Sequence, residues 1–461
     1  MHSPTTAPRL TALGVLAVLA LTTAACGTRV DRDAYLASRR VILPEGAAGD
    51  LVVRSGSELD GETSVGDASA SGGSGAAPAG AGSTVAGSGA EEASPGVPAG
   101  VSAKVVGDTV RIGMHLPETG AAPLPTDWLD ALKVIQQYLN ERHPAHGRTY
   151  EFVVEDDGYD PAKGLAACRK LADENVLLVL GHSQPAVQEA CAGLLDDRRI
   201  PYMMRGAQAS ILDGRPLAWM GTITDDRQGR MLGDYAIRHL GGKDRKGAVL
   251  YENDQLASRD GFIDRYEVGG GRIVLTEETV PRQSDFSATI EKLRQAGAEI
   301  VFLSMPPVDV IKLSVQAQGQ GYHPTWVGGA TYWNYNLVLE SAGAALDGAV
   351  TFSPWPTVDS AAAATYRNVY AHYRPGKEAT DVGLVMWGWA VVIRTIVEQA
   401  GPNLSRLAVA EALQNLKVND PTWNPLTFGP NQHGGSTSVA VFTADGQAKR
   451  WRQITGFAGS F

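Results

Sequence analysis

The sharpest local chemistry in the chain is the run Leu178-Val179-Leu180-Gly181-His182-Ser183-Gln184-Pro185: an apolar stretch, a G-H-S turn and a helix start. This order approaches the G-x-S-x-G elbow that mounts a nucleophilic serine between a strand and a helix. The elbow needs a small residue in its fifth position so that the helix can approach, and Pro185 stands there. A serine opening a helix has two other uses. It can cap the helix, or it can join the unpaired N–H groups and the helix dipole in holding an anion. His143 and His146 follow Glu141 with H-x-x-H spacing, but Pro144 and Gly147 break the helix that would align them on a metal. Gly269-Gly270-Gly271 lacks the Lys-Ser/Thr of a phosphate loop and reads as a turn. No catalytic constellation, metal site or cofactor site assembles, so the chain is not expected to be an enzyme.

The cysteines are Cys26, Cys168 and Cys191. Arg9 precedes an apolar run from Leu10 to Leu21, which ends in Thr22-Thr23-Ala24-Ala25-Cys26. That is the order of an export signal, and a run this short cannot cross ~30 Å of hydrocarbon. Its end resembles the lipobox of bacterial lipoproteins, with Thr23 where Leu is more usual. Residues 1–26 are therefore expected to be a signal ending in a lipidated Cys26, anchoring the chain to the outer face of the cell membrane. Cys168 and Cys191 remain as a pair in an oxidising compartment, where a disulfide is the ordinary outcome. Two buried free thiols are the alternative.

The elements that must position these residues begin late. From Ser64 to Ala103 there is no Lys, Arg, aromatic, Leu or Ile. Such a stretch cannot bury enough apolar surface to offset its ordering entropy, so residues 27–104 are expected to form a mostly disordered Gly/Ala/Ser tether. Leu51-Val52-Val53 hints at a short strand within it. From Thr109 onward, strand and helix patterns alternate. Thr109–Met114 reads as a strand, then Trp128, Leu132, Ile135 and Leu139 recur at helical spacing. Asp160-Pro161 offers an N-cap and an N1 proline. Val176–Leu180 is a continuous apolar strand of the kind that parallel sheets bury on both faces. A further helix, Phe286–Gln295, is read with Ser284 as its cap. Strict βα alternation implies α/β architecture with right-handed crossovers. Its length fits two doubly wound parallel-sheet lobes better than one sheet. Cys168 and Cys191 then fall on consecutive crossover helices, side by side on one sheet face. The formal net charge of −10 argues against nucleic acid.

Taken in order, several segments resemble the type I periplasmic binding proteins, in particular the branched-chain amino-acid-binding branch that serves ABC importers. These are Ile112–Gly120, Val154–Asp157 with Asp160-Pro161-Ala162, Val179-Leu180-Gly181 with Ile200-Pro201, and Thr222–Gly229. Asp285-Phe286-Ser287, Leu346–Val350, and Phe428–Asn431 with His433 continue the series. The resemblance covers about 109–457. It implies two lobes joined by three crossover segments, an N-lobe of about 105–224 and 356–425, and a C-lobe of about 229–352 and 436–461. It also implies a small-molecule ligand in the cleft, a monomer, and permease and ATPase partners. By the same likeness Ser183 and Gln184 hold a ligand carboxylate, and Ala207, Gln208, Ala209 and Ser210 make the second contact. The loop Pro117–Thr126 forms part of the mouth; Trp128 reads equally as mouth or core.

The departures from that family concern the ligand. Ala330 stands where an acid pairs with the ligand ammonium, and the run Ser304-Met305-Pro306-Pro307 and Leu384 stand where aromatics usually enclose it. A buried ammonium without a partner carries a penalty of several kcal/mol. Either Asp254 or Asp260 serves instead, or the ligand is another polar or anionic solute. Tyr332, with Trp333 and Tyr335, offers an aromatic surface on the C-lobe side or packs as hinge support. The resemblance implies uptake through an ABC importer; sensing through a membrane signalling partner is the runner-up, and a serine hydrolase follows.

Overall fold

The computed structural model describes Val52–Arg54, residues 97–101, 105 and 107–461, except 253–254 and 330–332. The expected signal and Cys26, nearly all of the tether, and Asp254, Ala330 and Tyr332 lie outside the described residues.

The first sheet is built from β1 (Val52–Arg54), β2 (Thr109–Leu116), β3 (Thr149–Asp156), β4 (Leu178–Gly181), β5 (Tyr202–Met204) and β6 (Ala218–Met220). All of its strands run parallel, in the order β1-β3-β2-β4-β5-β6. Its crossovers are α1 (Asp127–Arg142), α2 (Pro161–Asp173) and α3 (Pro185–Asp197). The helical spacing at Trp128, Leu132, Ile135 and Leu139 is the buried face of α1, so Trp128 belongs to the core. Asp160 caps α2, its Oδ1 accepting the N–H groups of Ala162 and Lys163, each at 2.9 Å. Cys168 on α2 and Cys191 on α3 form a disulfide with Cα atoms 5.8 Å apart.

The second sheet continues through α4 (Asp225–His239), β7 (Lys246–Tyr251), α5 (Leu256–Val268), β8 (Arg272–Glu278), α6 (Ser287–Ala296) and β9 (Ile300–Ser304). Next come α7 (Pro307–Gly319), β10 (Thr325–Gly328), α8 (Asn336–Ala342) and β11 (Val350–Ser353). The chain then returns to the first body with α9 (Ala364–Tyr373), α10 (Asp381–Ala400), which packs on α1, and α11 (Arg406–Gln414). A small ribbon of β12 (Lys417–Val418) and β13 (Leu426–Thr427) follows. Finally β14 (Ala440–Asp445) and β15 (Arg450–Gln453) join the second sheet antiparallel, giving the order β15-β14-β11-β10-β9-β7-β8. The chain therefore passes three times between two α/β lobes. Strand β6 carries no separate pattern in the sequence, because three residues are too few for a period to register. The N-terminus of α6 also differs from expectation. Asp285, not Ser284, accepts the Ser287 N–H at 2.8 Å, because a carboxylate two residues ahead closes the tighter turn.

Fully buried tryptophans gather at the three passages. Trp423 lies 5.6 Å from Trp355 and 5.0 Å from Trp389, centroid to centroid. Its indole N–H donates to the Gly221 carbonyl at 3.0 Å. These side chains fix where the lobes join, leaving the carboxyl ends of both sheets to face one cleft, the usual ligand position in open α/β sheets. Among the described residues, no helix is long and apolar enough to cross a membrane.

Candidate functional site

One wall of the cleft is made by the turns after β2, β3 and β4. Asp156 ends β3 and ties two of these turns together: its carboxylate accepts from the backbone of Glu118 at 2.9 Å, Thr119 at 3.1 Å and Gly158 at 2.9 Å. The Thr119 hydroxyl donates to the same carboxylate at 2.6 Å. Gly120 follows with φ +91°, and a Cβ there would lie 1.7 Å from the Gly158 carbonyl oxygen, so only glycine lets the loops meet.

Behind this rim lies a buried polar chain. Asp157 Oδ2 is 2.9 Å from His115 Nδ1, and His115 Nε2 is 2.8 Å from the Tyr202 hydroxyl. A carboxylate only accepts, so Nδ1 carries a proton, and in the neutral imidazole Nε2 then accepts from the Tyr202 hydroxyl. Asp157 Oδ1 takes the Ser183 hydroxyl at 3.0 Å and the Tyr159 N–H at 2.9 Å. The serine proton therefore goes to a carboxylate oxygen, and among the described residues no histidine nitrogen is hydrogen-bonded to that hydroxyl. Burial pushes the Tyr202 phenol well above its usual range, with Asp157 adding to the shift. Burial also holds His182 well below the usual imidazole range, aided by Arg205 and His115, so it is neutral at pH 7. The 183–184 turn is held from every side. The Ser183 carbonyl accepts from Arg205 at 3.0 Å and Gln188 at 3.2 Å, and Gln184 donates to the Tyr159 carbonyl at 2.6 Å.

The opposite wall comes from the loop after β8 and from α7 and α8. Arg282 follows Pro281 in the left-handed region, φ 60°. Its backbone N–H donates to Asp309 Oδ2 at 2.9 Å, which holds the turn against the first turn of α7. The Arg282 side chain then crosses the cleft. Nε donates to the Ala121 carbonyl at 2.5 Å, and Nη2 donates to the Gly120 carbonyl. Lys312 lies one turn further along α7, 3.7 Å from the buried Asp309 carboxylate. Burial raises the Asp309 pKa against the pull of the Arg282 N–H and of Lys312.

The two walls enclose a cavity of about 460 Å³. Its N-lobe side includes Pro117, Leu124, Tyr159, His182 and Ser183; its C-lobe side includes Arg282, Pro306, Ile311, Lys312 and Tyr335. Of the residues expected at the ligand, Ser183 lines this space. Gln184 stands behind it, bonded to Tyr159. Ala207 is buried, its carbonyl accepting the Asp225 N–H at 3.0 Å. Gln208 donates to Glu189 at 3.4 Å, and Ala209 and Ser210 begin a short exposed 3-10 turn. Met305 is buried with its carbonyl accepting from the Trp333 indole at 3.4 Å, and Leu384 is fully buried in the core on α10. None of these last six is among the residues lining the cavity. Asp260 is paired with Arg259 at 2.7 Å and lies 64% exposed, away from the cavity. Sequence reasoning missed Arg282 and Lys312. Their signal, a cation just past a strand end and another on the first turns of a helix, is common on any surface.

His143 meets the Tyr138 hydroxyl at 3.1 Å and His146 the Val397 carbonyl at 2.9 Å, so the H-x-x-H pair is used in packing. Among the described residues, the close His/Cys/acid cluster is His115 with Cys168 and Cys191. Both its sulfurs are spent in the disulfide, which leaves a single nitrogen.

A family profile described as a periplasmic binding protein matches residues 109–449. The chain is 24% identical over 343 residues to the Leu/Ile/Val-binding protein homolog 3 of Brucella melitensis, covering 73% of this chain and 91% of that one. It is 25% identical over 235 residues to a leucine-, isoleucine-, valine-, threonine-, and alanine-binding protein of Pseudomonas aeruginosa, covering 49% of this chain and 62% of that relative. Among solved structures, a fatty acid ABC transporter substrate-binding protein from Thermomonospora curvata superposes with TM-score 0.68 at 19% identity, covering 78% of this chain and 94% of that one. A solute binding protein of an ABC transporter from Rhodopseudomonas palustris, in complex with 3,4-dihydroxybenzoic acid, gives 0.66 at 17% identity, covering 77% and 99%. A branched-chain amino acid transporter substrate binding protein from Streptococcus pneumoniae, in complex with isoleucine, gives 0.66 at 17%, covering 76% and 99%. At these identities the structural likeness shows a shared fold.

Proposed function

We propose that this chain, which belongs to the periplasmic binding protein family, captures a small organic solute between its lobes and hands it to the permease and ATPase of an ABC-type importer. The observation that carries this reading is the cavity of about 460 Å³ walled by both lobes at the carboxyl ends of their strands. That volume is of the size of small-molecule sites generally. The solute is an amino acid or a related polar or anionic compound, the range named for the relatives above. Closure of the lobes removes it from water, so each polar contact gains strength in the lower dielectric. Ser183 is the N-lobe contact in this reading. The lobes comprise about 105–224 with 356–425, and about 229–352 with 436–461, and the chain acts as a monomer. A lipidated Cys26 followed by a flexible tether keeps it at the outer face of the cell membrane.

A ligand that binds only the folded state raises the melting temperature, by about 2.7 kcal/mol of added stability at a hundred times its Kd. A thermal-shift screen of the soluble domain over amino acids, amides, short acids and aromatic metabolites is expected to give concentration-dependent shifts for one class. Flat melting curves across all four classes would remove the solute-capture reading. Partition of the full chain, made with its signal in a bacterial host, into detergent phase tests the anchor: Cys26→Ser is expected to abolish it, and equal partition of both proteins would refute lipidation.

A further inference from the structure

The cavity has an electrical direction. On the N-lobe side Ser183 donates its only hydroxyl hydrogen to Asp157 Oδ1 at 3.0 Å, so toward the cavity it offers lone pairs alone. Asp157 itself, fully buried behind Ser183, places a carboxylate at that end. Its neighbour His182 is neutral. A ligand carboxylate set there would meet the Ser183 hydroxyl only as an acceptor, and the cation behind it, Arg205, is spent on the Ser183 carbonyl at 3.0 Å with the Asp157 carboxylate buried beside it. On the C-lobe side stand Arg282 and Lys312, and among the described residues no Asp or Glu lines the cavity. Arg282 uses Nε and Nη2 on the neutral carbonyls of Ala121 and Gly120, and no described acid lies within ion-pair distance of its guanidinium. Lys312 has Asp309 at 3.7 Å, beyond hydrogen-bond range, and the Gln283 carbonyl at 3.4 Å. Between the two ends the lining is largely apolar, with Pro117, Leu124, Pro306, Ile311 and Val338 beside Tyr159, Tyr335 and Ser341.

We propose that the ligand is an organic carboxylate with an apolar body and no ammonium group, bound with its carboxylate at Arg282 and Lys312 and its far end toward Ser183. This deepens the solute-capture reading and rests on it. It reverses the orientation expected from the helix start at Ser183. A zwitterionic amino acid is disfavoured because its ammonium finds two cations and no described carboxylate in the cavity. Arg282 also gains a second role. Its guanidinium closes the lip on Gly120 and Ala121, so an anion that neutralises it in place ties occupancy to closure.

The test is a thermal-shift and calorimetric series on the soluble domain, using straight-chain carboxylates from butanoate to decanoate and benzoate, each beside its primary amide, with leucine as the zwitterion. At least one carboxylate is expected to bind tenfold or more tightly than its amide, on the order expected for one charge-assisted hydrogen bond. Arg282→Gln and Lys312→Gln are each expected to shrink that carboxylate-over-amide ratio toward one. If Arg282 is only a latch, its loss weakens acid and amide alike and leaves the ratio intact, which would overturn the assignment. Amides or leucine binding as well as the acids would also overturn it while leaving solute capture standing. Silence from every compound would overturn it and leave the capture reading to the wider four-class screen.

Discussion

The two walls of the cleft are built on opposite plans. The N-lobe wall is a buried network in which Ser183, Asp157, His115 and Tyr202 satisfy one another at 2.8–3.0 Å. The disulfide between α2 and α3 lies behind it. The C-lobe wall is held by proline-flanked turns and long-stemmed cations, with Lys312 36% exposed. Buried networks with every partner in place fix geometry; on the other wall Lys312 is paired with Asp309 only at 3.7 Å and Arg282 meets neutral carbonyls, so both can take up a further counter-charge. The rigid wall shapes the pocket and the charged wall selects what enters.

The comparison is broken most severely at Asp157. Asp157→Ala leaves Ser183 and the protonated His115 nitrogen without their acceptor in a dry interior, and is expected to cost about 3–5 kcal/mol. Urea unfolding would measure it, and a loss below about 1 kcal/mol would mean that the wall is not held as described. The disulfide comes next. Cys168→Ser with Cys191→Ser, opening a loop spanning 23 positions, is expected to lower stability by about 3 kcal/mol. Unchanged melting on reduction would contradict that.

A pH effect of similar or smaller size sits at the seam between the walls. Asp381, at the start of α10, accepts the N–H groups of Asn336 at 2.7 Å and Val358 at 2.9 Å. Burial raises its pKa from 3.8 to about 6, with Asp359 adding and the two N–H groups and Arg450 opposing. The folded state holds this proton more tightly than the unfolded chain. The contribution is therefore complete below pH 3.8 and lost as pH rises through about 6. Relative to Asp381→Asn, the wild type is expected to lose up to about 3 kcal/mol between pH 4 and pH 7. Parallel stability curves for the two proteins would dismiss the effect. At the small end, Arg282→Gln is expected to change stability by no more than about 0.5 kcal/mol, as for an exposed side chain, while altering ligand preference. A large loss of stability there would make the charged wall structural after all.

The fold was readable where a pattern is long or a cap is local. The α1 stripe of Trp128, Leu132, Ile135 and Leu139 is buried as spaced, the Asp160-Pro161 start of α2 is capped as written, and the two cysteines fall on adjacent crossovers. Short strands escaped: β6 is three residues, and β1 was only hinted at by Leu51–Val53. The site was readable only on its rigid side. Ser183 announces itself by opening a helix, yet the direction of its proton depends on Asp157, 26 residues earlier, which sequence spacing does not reveal. Arg282 and Lys312 come together from a turn and a helix separated by α6 and β9, so their pairing exists only once the second sheet is folded.

The most direct test of the account is a paired calorimetric titration of the tag-free soluble domain with leucine and with 4-methylpentanoate, which has the same apolar body and carboxylate without the ammonium. Missing charge pairing in a closed cleft costs several kcal/mol, so the acid is predicted to bind at least about tenfold more tightly than leucine. Micromolar or tighter leucine binding, with the acid weaker, would contradict the account: the cleft would then hold an acid for the ammonium, and its charged wall would not be the selecting one.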